Sequence, residues 1–528
     1  MAAMDSETLR SALRAENEIA LLDLREQGEF GTCHLFWAVN TPLSRLEFEV
    51  PRLVPRRGTP IVVTAAGDAG LAAHGAAALT ALGYTDVSIC PDTPDEWAAA
   101  GFTLYSGINV PSKAFGEVVE HHYGTPSVAA SELKAMQDRG DDLVVLDSRT
   151  FAEYHNMNIP RGISVPGGEL AYRVRDLAPL EETLVVVNCA GRTRSILGAQ
   201  SVINAGIPNK VVALENGTMG WHLAGLELEH GRTDRFPPGD PESLDAAIAM
   251  RDRIAVEHGI ETIDCARLAR WQNEADSRTL YLLDVRDPDE FAAGHLPGSR
   301  SAPGGQLVQA TDFQIGVPNG RIVLIDDTGV RATMTAHWLV QMGYPDVFVL
   351  EDGLAGELET GADGEPLSTN AAVIDVDALA ARLPDGDVLV LDLCESRVFR
   401  RGHIPGAKWA IRSRIVGMGP ALPDTGTLVL TSDDGRLAAL AVEEAQALTN
   451  AGVLVLSGGT NAWIAAGHAT EADPRYPADE DCIDVYLRAY DRNTDVEARM
   501  QEYIDWEVAL IEQIAADDDV AFRLGPNP

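Results

Sequence analysis

A short apolar run ending in an acidic residue occurs four times along the chain, and it governs what the polypeptide can become. The copies are Leu21-Leu22-Asp23-Leu24-Arg25, Val145-Leu146-Asp147-Ser148-Arg149, Leu282-Leu283-Asp284-Val285-Arg286 and Leu391-Asp392-Leu393-Cys394. A turn element follows, clearest as Gly294-His295-Leu296-Pro297-Gly298 and Gly402-His403-Ile404-Pro405-Gly406. Asn158-Ile159-Pro160-Arg161 is its altered copy in the second unit, and Thr32-Cys33-His34-Leu35 stands there in the first, without the proline. A second apolar run comes next (60–63, 184–187, 322–325, 428–430), then a small glycine-containing loop, an Ala-rich helical stretch, and a third run (87–89, 211–214, 347–350, 453–456). Short apolar runs alternating with helical patterns mark a parallel sheet covered on both faces. The expected fold class is α/β: four tandem units, each a mainly parallel sheet with helices on both faces, followed by a C-terminal helical tail.

Size agrees with this division, since 528 residues suggest roughly three to five domains. Breaker-rich boundaries near 107–125, 231–258 and 360–372 divide the chain into units at 1–106, 125–230, 258–360 and 372–472 and a tail at 473–528. Leu244 to Val256 reads as a linking helix, and Tyr486 to Ala516 as a helix folding back on the domains, its aromatic stripe read as core packing.

Charge excludes some partners. With 80 acidic against 41 basic side chains the net charge is −39, a surface that would repel nucleic acid and anionic membranes. Six cysteines, at 33, 90, 189, 265, 394 and 482, form no CxxC element, so neither a disulfide framework nor a zinc site is expected. The start has no basic or apolar signal region, and no apolar run reaches a membrane span. A cytoplasmic protein is expected.

Chemistry concentrates in one loop, Cys189-Ala190-Gly191-Arg192-Thr193-Arg194-Ser195. Cys189 lies between a strand end and a helix expected to start near Ser195, where converging amides and the helix dipole favour a thiolate. Gly191 would let the loop curl into an anion nest, and Arg192 and Arg194 add positive charge.

This loop, with Val145 to Arg149 and Leu214-Glu215-Asn216-Gly217 through Trp221, resembles the rhodanese domain, and all four units share that resemblance across most of residues 5–470. The whole chain resembles multi-domain bacterial rhodanese-related sulfurtransferases of the thiosulfate type. The resemblance implies double displacement. Cys189 takes the outer sulfur of thiosulfate or a similar small anionic donor, releases sulfite, and passes the sulfur from a persulfide to cyanide, a thiol or a protein acceptor. It implies no metal or organic cofactor. Residues 190–195 would cradle the sulfur and the donor. The loop from Cys189 through Arg194 has the sulfurtransferase length, one residue shorter than in the related cell-cycle phosphatases. Mercaptopyruvate enzymes carry Gly, Ser and Val where this loop has Ala, Arg and Thr.

The other units lack the nucleophile. Ala65, Asp326 and Ser432 stand where Cys189 does, which makes those units structural or modulatory. The working unit departs from the family in having Asn158 where others have His295 and His403, and Glu153 where some two-domain relatives carry a donor-binding arginine. Arg173 and Arg149 are further candidates for donor contact, weighed against a solvated surface role for Arg173 and an architectural one for Arg149 with Asp147. Cys33-His34 and Cys394 read as packing residues, and His121-His122 as a solvated linker pair. Two competing functions remain: a cysteine-dependent phosphatase or arsenate reductase, against which loop length argues, and a sulfur-relay scaffold.

Overall fold

The structure, a computed structural model, describes residues 2–362 and 371–525. The expected boundary at 360–372 lies partly, at 363–370, outside the described residues.

Four five-stranded sheets follow one another along the chain. In the second unit the strands are Ser127–Val128, Leu143–Asp147, Gly162–Ser164, Leu184–Asn188 and Val211–Leu214. Across the sheet they run first, fifth, fourth, second, third, all parallel. The other three sheets repeat that order. The apolar runs form the buried central strands, because a parallel sheet covered on both faces leaves no polar side to alternate with. The edge strands are only two or three residues long and have no such run to announce them.

The repeated motifs hold each unit together in the same way. Arg25, Arg149 and Arg286 each fold back onto the aspartate two residues earlier and donate to a backbone carbonyl of the turn, that of Cys33, Met157 and Gly294 respectively. His34, His295 and His403 stack on Phe30, Phe291 and Phe399 with ring centroids 3.8–3.9 Å apart. Asn158 takes that place in the second unit and pairs with Glu229, as His295 pairs with Glu359 and His403 with Glu471. His34 is thus a packing residue of the turn.

The stretch at 107–125, expected to be a linker, is largely a helix, Val110–Tyr123, and most of it is buried. Asn109 precedes it, Pro111 sits in its first turn where no amide bond is lost, and Gly124 ends it in the left-handed region. Only its last turn, with His121 and His122, is exposed. The linking helix is Pro241–Glu257, capped by Asp240. In the tail, the long helix runs Val496–Ala515, starting later than Tyr486, with irregular chain and one 3-10 turn, Ala489–Asp491, before it.

One apolar core runs through the first three units and the Val110–Tyr123 helix. The fourth unit keeps separate cores and meets the first mainly through ion pairs: Arg45 with Glu395 at 2.9 Å, Arg412 with Glu47 at 2.7 Å and Arg414 with Glu29 at 2.6 Å. The second and third units meet at Pro166-Gly167-Gly168 and Pro303-Gly304-Gly305, where a Cβ on Gly305 would lie 2.8 Å from the Gly167 Cα. That backbone-to-backbone contact excludes any larger residue. Among the described residues, no helix is long and apolar enough to cross a membrane.

Candidate active site around Cys189

The strand Leu184–Asn188 ends at Cys189, and the following helix starts at Thr193, two residues before the expected Ser195. Cys189 is 2 % exposed, its sulfur 3.4 Å from the Ser195 hydroxyl. The carbonyls of Cys189 and Ala190 accept from the amides of Thr218 and Met219 at 2.8 and 3.0 Å. That clasp depends on Gly217. Its φ is +53°, and a Cβ there would fall 2.3 Å from the Cys189 carbonyl oxygen.

Gly191 acts differently from expectation. Its φ is not in the left-handed region, so it is not needed to curl the loop. It makes room for the tail instead: a Cβ would sit 3.1 Å from the Tyr503 ring and 3.4 Å from the Glu507 carboxylate.

Two helices outside the second unit complete the site. Tyr503, Trp506 and Glu507 of the C-terminal helix and Lys113 of the Val110–Tyr123 helix join Cys189 and residues 190–194 around a cavity of about 490 Å³. The Glu507 carboxylate accepts from both the amide and hydroxyl of Thr193, while its second oxygen has no hydrogen-bond partner. Lys113 donates to the Tyr503 hydroxyl and lies 3.8 Å from Glu507. The aromatic stripe of the tail, expected to be core packing, therefore also forms a wall of the cavity. No local pattern links residue 189 to residue 507. The apolar spacing of Val110, Ala114, Phe115 and Val119 was the readable signal for the buried helix that carries Lys113.

The expected loop cations are present and already matched. Arg192 bonds Glu117 at 2.7 Å and also Glu120. Arg194 bonds Glu153 at 2.8 Å and reaches into the third unit, to the Gln306 side chain at 3.1 Å. Glu153, a departure from the family pattern, is thus the partner of Arg194. Burial would raise its carboxyl, yet Arg194 holds it well below the usual carboxylate range. Burial pushes Glu117 up to about 7, although Arg192 opposes it.

The thiol departs from expectation. Burial pushes Cys189 up; Arg194 and Ser195 pull it down but do not prevail. Desolvation penalises the thiolate, and Arg194 is already engaged by a carboxylate. Arg173 does not reach the cavity. It is buried against Glu169 at 3.0 Å and stacks on Tyr172, so neither donor contact nor a solvated surface role fits it. Arg149, 2 % exposed and bonded to Asp147 at 2.7 Å, stands behind the site and does not line it.

In the third unit the carboxylate of Asp326 accepts from the amides of Gly329, Arg331 and Ala332 at 2.5, 2.9 and 3.3 Å. Ser432 in the fourth accepts from the Ala438 amide at 3.3 Å, and Ala65 in the first carries no reactive group.

The model of the rhodanese-like domain matches residues 5–100, 129–224, 265–357 and 375–466. The chain belongs to the rhodanese-like family. It is also similar to a crystal structure of a thiosulfate sulfurtransferase from Pseudomonas aeruginosa, with 47% identity, 100% of each chain covered and a TM-score of 0.91. Shorter relatives match single stretches. The thiosulfate sulfurtransferase GlpE of Pseudoalteromonas translucida is 27% identical over 79 residues, 15% of this chain and 72% of its own length. GlpE of Pseudomonas aeruginosa is 29% identical over 75 residues, 14% of this chain and 64% of its own length. Within the rhodanese-like frame, one of the four equivalent loop positions is a cysteine, Cys189, and the C-terminal helix lies against that loop.

Proposed function

We propose that the protein is a sulfurtransferase that moves sulfane sulfur from thiosulfate, or a similar anionic donor, to a thiophilic acceptor through a persulfide on Cys189. The observation that carries this is the place of Cys189, between a strand end and a helix start at the cavity, in a chain similar throughout to a thiosulfate sulfurtransferase. Cys189 gives up its proton to solvent and attacks the outer sulfur of thiosulfate as the thiolate, the sulfur–sulfur bond breaks, and sulfite leaves with the bonding pair. Cys189 keeps the sulfur as a persulfide, which cyanide or a thiol then removes. Residues 190–195 hold the loop around that sulfur. Arg194 is the cation best placed to steady its charge, since its cross-unit neighbour, Gln306, is neutral. Only the second unit, at 125–230, carries out this chemistry. The units with Ala65, Asp326 and Ser432 serve as its scaffold.

Intact-mass measurement after thiosulfate treatment tests this. The wild type is expected to gain one sulfur atom, and Cys189→Ser to gain none. A wild type unmodified by both thiosulfate and mercaptopyruvate would refute the reading.

A further inference from the structure

The cavity is larger than an inorganic donor or cyanide needs. At about 490 Å³ it falls in the range, about 300–1,000 Å³, of cavities that enclose organic ligands. Its charges are distributed unevenly. In its depth every cation already faces a carboxylate: Arg192 faces Glu117 and Glu120, Arg194 faces Glu153, and Lys113 faces Glu507. Arg488 and Arg492 also line it, the first exposed and the second half-buried, and neither makes an ion pair among the described residues. Arg488 is close enough to disfavour the Lys113 ammonium and favour the Glu153 carboxylate, so its charge is felt inside the cavity. Tyr486 and Trp506 belong to the same lining. An occupant that suits this arrangement carries negative charge at its outer end, an uncharged body and a reactive sulfur at its inner end.

We infer that Arg488 and Arg492 form a subsite for the carboxylate of a low-molecular-weight thiol, which is the acceptor of the Cys189 sulfur. This rests on the sulfur-transfer reading above and adds the class of acceptor to it. A guanidinium matches a carboxylate with paired donors, so these arginines select thiols that bear one. With the carboxylate held at the mouth, the thiol reaches the persulfide. Its sulfur attacks the outer persulfide sulfur, a new sulfur–sulfur bond forms, and the bond to Cys189 breaks with its electron pair returning to Cys189. The proton lost by the acceptor thiol ends on Cys189, whose burial favours the neutral thiol. The products are an acceptor persulfide and the resting enzyme, with no oxidant or reductant needed.

The test charges the full-length protein with one sulfur from thiosulfate and follows its discharge by glutathione and by glutathione diethyl ester, which has no free carboxylate. The wild type is expected to show a KM for the ester roughly tenfold above that for glutathione. The double variant Arg488→Ala/Arg492→Ala is expected to lose that difference, both KM values moving to that of the ester. Equal KM values in the wild type would overturn the inference without any variant, as would a double variant that retains the difference. Failure of Cys189 to take up sulfur at all would overturn the sulfur-transfer reading, and this inference with it. A persulfide discharged without regard to carboxylates would overturn the inference alone.

Discussion

In the second unit the central strand hands over to Cys189, and the loop that follows contains no carboxylate of its own. In the third the same strand hands over to Asp326, whose carboxylate takes three amides of the equivalent loop. The arginine five positions along is shared, Arg194 in one and Arg331 in the other. Each pairs with a glutamate of its own unit, Glu153 or Glu290, and each reaches across the Gly-Gly contact into the other unit. The groups reached differ. Arg194 meets neutral Gln306, whereas Arg331 meets the Glu169 carboxylate at 2.6 Å and a further carboxylate, Asp327, at 2.7 Å. An amide nest at a helix start attracts an anion in either unit. The third unit supplies that anion itself and surrounds its arginine with acid; the second leaves room for a substrate.

The largest effects come from moving the cysteine that the proposed reaction uses. Cys189→Ser should abolish sulfur uptake, and adding Asp326→Cys should not restore it, because the carboxylates around Arg331 remain. A mass gain in that double variant would break the contrast between the units. Next comes the cross-unit contact. Gln306→Glu, which gives the Cys189 site a cross-unit carboxylate like that of the Asp326 site, should lower kcat/KM for thiosulfate roughly tenfold, mostly through KM. The reciprocal Glu169→Gln takes one carboxylate from fully buried Arg331 and should cost about 1–3 kcal/mol in urea unfolding of the transition that reports this unit.

A smaller effect is expected from pH. With Glu117 pushed up to about 7, lowering the pH through that value protonates it, leaves Arg192 with Glu120 alone of these two carboxylates, and so returns part of its charge to the cavity. KM for thiosulfate should therefore fall a few-fold (roughly threefold) as the pH drops from about 8 to about 6, and Glu117→Gln should flatten that dependence. Because this carboxyl is raised in the fold, its contribution to stability is fully present below 4.5 and is lost as the pH rises through about 7. The smallest change belongs to exposed Cys265. Cys265→Ala should stay within about 0.5 kcal/mol of wild-type stability and leave the gain of a single sulfur unaltered.

Much of this was legible along the chain, because central strands, turns and loop helices each have a local pattern. The recurrence of Asp23, Asp147, Asp284 and Asp392 at strand ends placed the sheets, and Cys189 stood out by its position between strand and helix. The walls of the cavity were not legible in the same way. Lys113 sat in a stretch whose Gly, Pro and charge suggested a linker, although Val110, Phe115 and Val119 carried a helical period. Gln306, Tyr503 and Glu507 act from other units, and contacts between distant segments follow from packing rather than spacing. Arg173 misled because an arginine near a loop in sequence can be fastened elsewhere, here by Glu169 and Tyr172. The thiol of Cys189 misled because helix-dipole reasoning assumes access to water, and burial removes it.

The C-terminal helix also puts a clock on the enzyme. Cys189 leaves the ribosome roughly 300 residues before Val496–Ala515 is made, an interval of about 15–60 s at about 5–20 residues per second. During that time the second unit can form its sheet while the wall built by Tyr503, Trp506 and Glu507 is missing. The cavity becomes complete only when translation has delivered all four units, so a truncated product has a cysteine but not its finished chamber.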